Sequence, residues 1–283
     1  MAATKPPFTF TTKIQPPPLL SSPSSLSPNG SSSSNPVVLE YPTPDNPRPS
    51  SNPPVFTDAM IVRDKVFVQE QGCSAEAEID ADDLRSWHWV VYASPLRQHI
   101  STTTTTSTTQ NGTAPAQEPS EEEEAIPVGV IRLVPPPHAP HDILHHPELA
   151  GSLPKYDLDH EPYIKITRVA VLPEFRGYGL SRVLMDTAQD WAAQHPEEIN
   201  AAYAREVASL QDADKRAAND AKTAEMTRGK EWTGLVILHA QVQVEKMYER
   251  FGYETDKSMG VWDEEGIDHV GMFRRLKISS TSE

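Results

Sequence analysis

Apolar residues along this chain fall into short periodic blocks separated by long polar stretches, and the blocks predict one mixed α/β unit. From Thr57 to Gly72, Ala59, Val62, Val66 and Phe67 recur at helical spacing, with Asp58 as a candidate N-cap and Gly72 as the stop. Trp87–Ala93 and Ile126–Val134 read as two strands of a hairpin with a swollen tip. Tyr163–Leu172 is rich in β-branched residues and predicts a third strand. Leu180, Val183, Leu184, Thr187, Ala188 and Trp191 then form an apolar helical stripe, which His195-Pro196 ends. Gly234–Gln241 reads as a buried strand of parallel type. A short helix follows, with Val244, Met247, Tyr248 and Phe251 on one face and Gly252 closing it, and a last strand starts at Ile267. This order of elements predicts an α/β (α+β) sandwich of helices on a mixed sheet.

The polar stretches complete the organisation. Insertions are expected at about 96–125, 135–160 and 194–231. The last of them is helix-prone, with only a thin apolar stripe of Ala201, Ala204, Val207 and Leu210. The first 54 residues hold 14 of the 27 prolines and the run Ser31-Ser32-Ser33-Ser34. Such a segment buries too little to offset chain entropy, so 1–54 is expected to be a disordered tail, 55–277 the folded domain and 278–283 a disordered end.

Charge and cysteine use narrow the function. A formal net charge of −15 argues against a nucleic-acid partner, which calls for a basic face. There is no apolar run of about 18 residues, so no membrane span is expected. Cys73 stands alone, so no internal disulfide forms, as in a reducing compartment. Before Glu40 there is no acidic residue, but Lys5 and Lys13 are the only cations and there is no Arg, which makes a poor organelle-targeting segment. A cytoplasmic protein, with a nuclear location also open, is the expectation.

The candidate chemistry sits in "RVAVLPEFRGYGLSRVLMDTAQDW", Arg168–Trp191: strand, glycine turn, helix. Such turns occur for backbone reasons alone. They also present unpaired amides and a positive dipole end to an anion, here beside Arg176. The dinucleotide fingerprint G-x-G-x-x-G fails because Arg182 stands at the third glycine, and no P-loop sequence occurs. Arg176-Gly177-Tyr178-Gly179-Leu180-Ser181 resembles the R/Q-x-x-G-x-G/A signature of the GNAT superfamily, the acetyl-CoA-dependent N-acetyltransferases. Ser181 stands where that family usually has Gly or Ala. "LHAQVQVEKMYERFGYE" resembles the family's later strand and helix, with Met247 in place of a Phe. "RDKVFVQEQGCSAEAEIDADD" and "EEGIDHVGM" resemble one single-domain branch, and the four matches occur in order from about Val55 to Leu276.

The resemblance implies a mixed, mostly antiparallel sheet with helices on both faces and a splayed central strand pair. It implies acetyl-CoA as co-substrate, with phosphates on the turn Arg176, Gly177, Tyr178, Gly179, Leu180 and Ser181. The pantetheine arm would pair with the strand edge at Val169, Ala170 and Val171. Tyr248 matches the general acid by motif. Spacing alone favours a packed core tyrosine beside Val244 and Phe251, and the motif match favours the catalytic role. The implied reaction is direct acetyl transfer to a primary amine of a small molecule or peptide, because no activated nucleophile is apparent.

The base is not readable. Glu161, just before the central strand, is the nominal candidate, and it also reads as a solvated loop acid. Glu78 and Asp80, with Asp83, could hold a cationic amine or form a solvated acidic loop. His269 could face the acceptor or be structural. Cys73 has no matched histidine and is read as incidental. His138, His141, His145 and His146 follow no zinc spacing, so no metal is expected. Two rival readings stay open. One is a CoA-binding module without turnover. The other is an interaction protein using the tail, the insertions and the acidic run Glu121–Glu124.

Overall fold

The structure, a computed structural model, describes residues 8–18, 37–96, 125–214 and 230–279. Eight strands form one sheet: β1 (Phe8–Gln15), β2 (Trp87–Pro95), β3 (Ile126–Val134), β4 (Ile164–Val171), β5 (Leu235–Gln241), β6 (Glu254–Thr255), β7 (Val261–Glu264) and β8 (Ile267–Arg275). The order across the sheet is β1-β2-β3-β4-β5-β8-β6, with β7 also on β8. Every pairing is antiparallel except β4 with β5.

Helices cover both faces. The first is α1 (Pro54–Arg63), which runs on as π-helix over Asp64–Glu70. The others are α2 (Asp142–His145), α3 (Leu180–Gln194), α4 (Pro196–Asp214) and α5 (Glu245–Glu249). Alternation along β2 divides its side chains between two helices. Trp87 and Trp89 meet Trp191 of α3, at ring distances of 4.9 and 5.6 Å. On the opposite face His88 meets Phe56 of α1, and the Tyr92 hydroxyl donates to Asp58. The mixed sandwich and its element order thus follow the apolar pattern.

Several local expectations are corrected. Asp58 does not cap α1, which begins at Pro54. Its buried carboxylate accepts instead from Tyr92 and Arg48. The stripe of α3 is turned by one position: Met185 and Ala192 are buried and Val183 is exposed. On α4 the buried residues are Ile199, Ala202, Tyr203 and Val207, not Ala201 and Ala204, and Tyr203 and Val207 form a second small core with Leu158. The proline-rich start is not uniformly structureless. Phe8–Gln15 alternates apolar and polar positions over half its length and pairs with β2 from His88 to Pro95. Phe8 and Phe10 pack on Phe175 and Tyr178. At the other end Ile278 packs against the core and the Ser279 amide donates to the Ala193 carbonyl. Residues 1–7 and 19–36 of the expected tail, most of the first insertion (97–124), part of the third (215–229) and residues 280–283 lie outside the described residues.

Candidate functional site

The centre of the sheet is open. β4 and β5 pair only at Ile164–Ile166 with Val236–Leu238, and past that point the two strands continue without a shared ladder. The cause lies on the other side of β4. Against β3, Val130 pairs with Ala170 and Arg132 with Thr167, so β4 holds one residue more than its partner. This bulge puts Arg168 at φ 54°, a conformation rarely taken by a residue with a side chain. The result is a cleft of about 680 Å³ between the strands, within the usual range for ligand sites.

One end of the cleft is the glycine turn. Gly177 and Gly179 have φ of 83° and 79°, and Gly179 is the N-cap of α3. A side chain added at Gly179 would meet nothing within 4 Å, so the main chain there is open to approach. The first amides of α3 precede any intrahelical acceptor and point out of the helix start. Arg176 lies across this mouth. Its Nη atoms reach both carboxylate oxygens of Glu70 at 2.7 and 2.6 Å, and its Nε donates to the Val171 carbonyl. Val169, Ala170, Val171, Arg176, Gly177, Gly179, Leu180 and Ser181 all line the cleft. Tyr178 does not. Its ring joins Phe8, Phe10 and Phe175, tying the turn to the N-terminal strand.

Tyr248 of α5 also lines the cleft. It is 6% exposed, and its hydroxyl has no hydrogen bond to another described residue. Burial raises its pKa well above that of a free phenol. Glu161 is elsewhere. It makes a two-pronged ion pair with Arg275 at 2.7 and 2.9 Å, also accepts from Thr233, and lines no part of the cleft. The structure thus places this candidate outside the cleft.

The structure also brings a hydrogen-bonded histidine–carboxylate pair to the cleft. His239 of β5 faces the cleft, its Nδ1 lies 2.8 Å from Glu264 Oε1, and its Nε2 is buried without a partner. Glu264 also accepts from the Trp262 indole at 2.7 Å. The carboxylate selects the tautomer with hydrogen on Nδ1, which leaves a lone pair on Nε2. Burial, helped by the nearby Lys165 charge and opposed by Glu264, holds the His239 pKa down to about 4. The imidazole is thus neutral at ordinary pH. Sequence reasoning missed it because β5 was read as uniformly buried. Its burial in fact alternates, and Leu235, Ile237, His239 and Gln241 share the less buried face.

The acidic loop is not a free cation trap. Glu78 accepts from Arg63 at 2.8 Å, and Asp80 takes both Nη atoms of Arg132 at 2.7 and 2.9 Å. Asp83, fully buried, is shared by Arg63 and Arg132 at 2.8 Å each. Glu78 and Asp80 line the cleft with their charge already matched. His269 lines it too, with Nδ1 held 2.8 Å from the Ile267 carbonyl. The Cys73 thiol is pushed up by burial and by Glu265, so it is not an activated nucleophile. His138 and His141 bond to Tyr163. Among the described residues no group of three or more His, Cys, Asp or Glu could hold a metal ion, and no helix is long and apolar enough to cross a membrane.

Residues 81–217 match the Acetyltransferase (GNAT) family. No curated protein sequence matches the chain. Among solved structures it is similar to a Lactobacillus plantarum protein assigned as an N-acetyltransferase, at 20% identity over 80% of this chain and 93% of that one, with a TM-score of 0.42. It is similar also to Escherichia coli ElaA, at 19% identity over 78% and 89%, TM-score 0.38. An acyl-CoA N-acyltransferase from Pseudomonas aeruginosa gives 20% identity over 77% and 89%, TM-score 0.38. That family match lies across β2, β3, the bulged β4, the glycine turn and α3.

Proposed function

We propose that this protein is an N-acetyltransferase that moves an acetyl group from acetyl-CoA to a primary amine by direct transfer in a ternary complex. The observation that carries the reading is convergence. The glycine turn, the unpaired edge of β4, Tyr248 and the His239–Glu264 pair all border one cleft. The diphosphate would lie on the amides at the start of α3, with Arg176 exchanging Glu70 for phosphate. The pantetheine amides would pair with Val169–Val171 as an added strand.

Chemistry follows from the two ends of the acid–base set. The amine must lose a proton to attack, and the neutral His239 Nε2 can take it while Glu264 steadies the imidazolium. The new C–N bond forms as the C–S bond breaks, and the leaving thiolate takes the Tyr248 proton. The dry surroundings that raise Tyr248 also raise the departing thiol, so donor and acceptor stay matched.

The test is calorimetry with acetyl-CoA, followed by thiol-release assays against a panel of amines. Wild type is expected to bind at micromolar strength. Gly179→Trp, which fills the approach to the turn, is expected not to bind. Tyr248→Phe is expected to keep the affinity and lose about 10²-fold or more in rate. Wild type that fails to bind acetyl-CoA overturns the reading. Binding without turnover on any amine supports a CoA-binding module instead.

A further inference from the structure

Two cations in the cleft have no ion pair closer than 3.3 Å. Arg176 has Glu70, Arg132 has Asp80 and Asp83, and Arg63 has Glu78 and Asp83. Asp82 is paired with Arg85, and Glu264 takes hydrogen bonds from the neutral His239 and from the Trp262 indole while its charge acts on nearby Lys165. Lys165 lines the cleft with no hydrogen bond or ion pair to another described residue. Arg168 lines it with long contacts only: 3.3 Å to Asp80, 3.6 Å to Glu78 and 3.4 Å to the Ala77 carbonyl. Its Nε is buried and unsatisfied. A buried donor without a partner is costly, and here the bulge of β4 holds it in place.

Their position separates them from the phosphate turn. At about 3.3 Å per residue, Lys165 lies about 20 Å along β4 from Val171, where the turn begins. Lys165 is instead close to the base. It pairs in register with Ile237, so His239 is two residues along the neighbouring strand, about 8 Å away between backbones. Lys165 and His239 both face the cleft. The surrounding carboxylates, Glu78, Asp80, Asp82, Glu264 and Glu265, disfavour a doubly charged phosphate more than a singly charged group.

We infer that the acceptor is an amine that also carries a carboxylate, an amino-acid-class substrate, with its carboxylate held by Lys165 and Arg168 and its amine turned to His239. This deepens the acetyl-transfer reading and rests on it. It also reverses the expectation of a purely cationic acceptor held by Glu78 and Asp80, since those carboxylates already have arginine partners. Burial lowers the Lys165 pKa in the empty cleft, and a bound carboxylate would offset that penalty.

The experiment compares each proteinogenic amino acid with its α-amide as acceptor, with acetyl-CoA as donor and thiol release as readout. It runs on wild type, Lys165→Gln, Arg168→Gln and Lys165→Arg, and acetyl-CoA binding by each protein serves as the folding control. The expected result is transfer to at least one free amino acid, with the amide weaker by about tenfold to a hundredfold, the effect of losing one charge-assisted bond. KM for the amino acid should rise by a similar factor in both Gln variants, with KM for acetyl-CoA unchanged, and Lys165→Arg should recover most of it. An amide as good as its acid overturns the inference, and so does an unchanged KM in folded Gln variants. A protein that binds acetyl-CoA and acetylates only carboxylate-free amines, or no amino acid, overturns the inference and leaves the CoA reading standing. Loss of acetyl-CoA binding in wild type overturns both. If a variant does not fold, the acid–amide comparison on wild type decides alone.

Discussion

At the scale of single residues, the proposed chemistry rests on two side chains whose protonation burial controls. Tyr248 stays a phenol because burial raises it, and His239 stays an imidazole because burial lowers it. His239→Gln should therefore lower kcat by about 10²-fold with little change in KM for acetyl-CoA, and Glu264→Gln should do less, since it misorients the base without removing it. Steady-state kinetics check this, and an unchanged kcat in His239→Gln rules His239 out as the base. The place of Tyr248 on the cleft was legible because it falls in a recognisable run of residues. His239 was not, because the acid that orients it is 25 positions away on a hairpin, β7–β8, whose first strand was not read. Glu161 misled for the converse reason: its place before β4 looked suitable, but Arg275, far along the chain, holds it on the outside.

At the scale of elements, the loop after α1 shows how a polar sequence can be core. "EAEIDADD" looks solvated, yet Glu78 and Asp83 are buried. Their partners, Arg63 and Arg132, come from α1 and β3 and are themselves buried. The loop thereby fastens the π-helical end of α1 to the sheet at the rim of the cleft. Asp83→Ala leaves two buried guanidinium groups short of a partner and should destabilise the fold by about 3–5 kcal/mol. Urea unfolding measures it, and a loss below about 1 kcal/mol would mean that water reaches the network. The existence and order of β2, β3 and α3 are legible in the chain, although the buried stripe of α3 is turned by one position. β1 was hidden by the prolines around it, although its Phe-Thr-Phe-Thr start carries a strand period. The short β6 and β7 carry too few residues for any period to show.

At the scale of the molecule, buried histidines couple stability to pH. His88 and His239 are each lowered from 6.5 to about 4, by burial first. The folded chain keeps them neutral, while the unfolded chain takes up a proton at each below about 6.5. Stability should therefore fall as pH drops from about 6.5 to about 4, by roughly 3 kcal/mol for each of the two at the bottom of that window. Asp83, depressed by its arginines against its burial, adds a further loss below the ordinary aspartate range. Urea midpoints at pH 7, 5.5 and 4.5 should decrease in that order, and His88→Gln should flatten the trend. A level profile contradicts the burial argument. The pairing of the sheet has a mechanical consequence as well. β2 and β3 are joined along seven residue pairs, and β5 and β8 along seven, but the two halves of the sheet meet at three pairs between β4 and β5. The molecule is therefore built as two stiff plates with a narrow strap at one end, and its softest bending line runs through the gap. Anything lying along that gap acts as a stay between the plates, and tightens the whole body rather than one pocket.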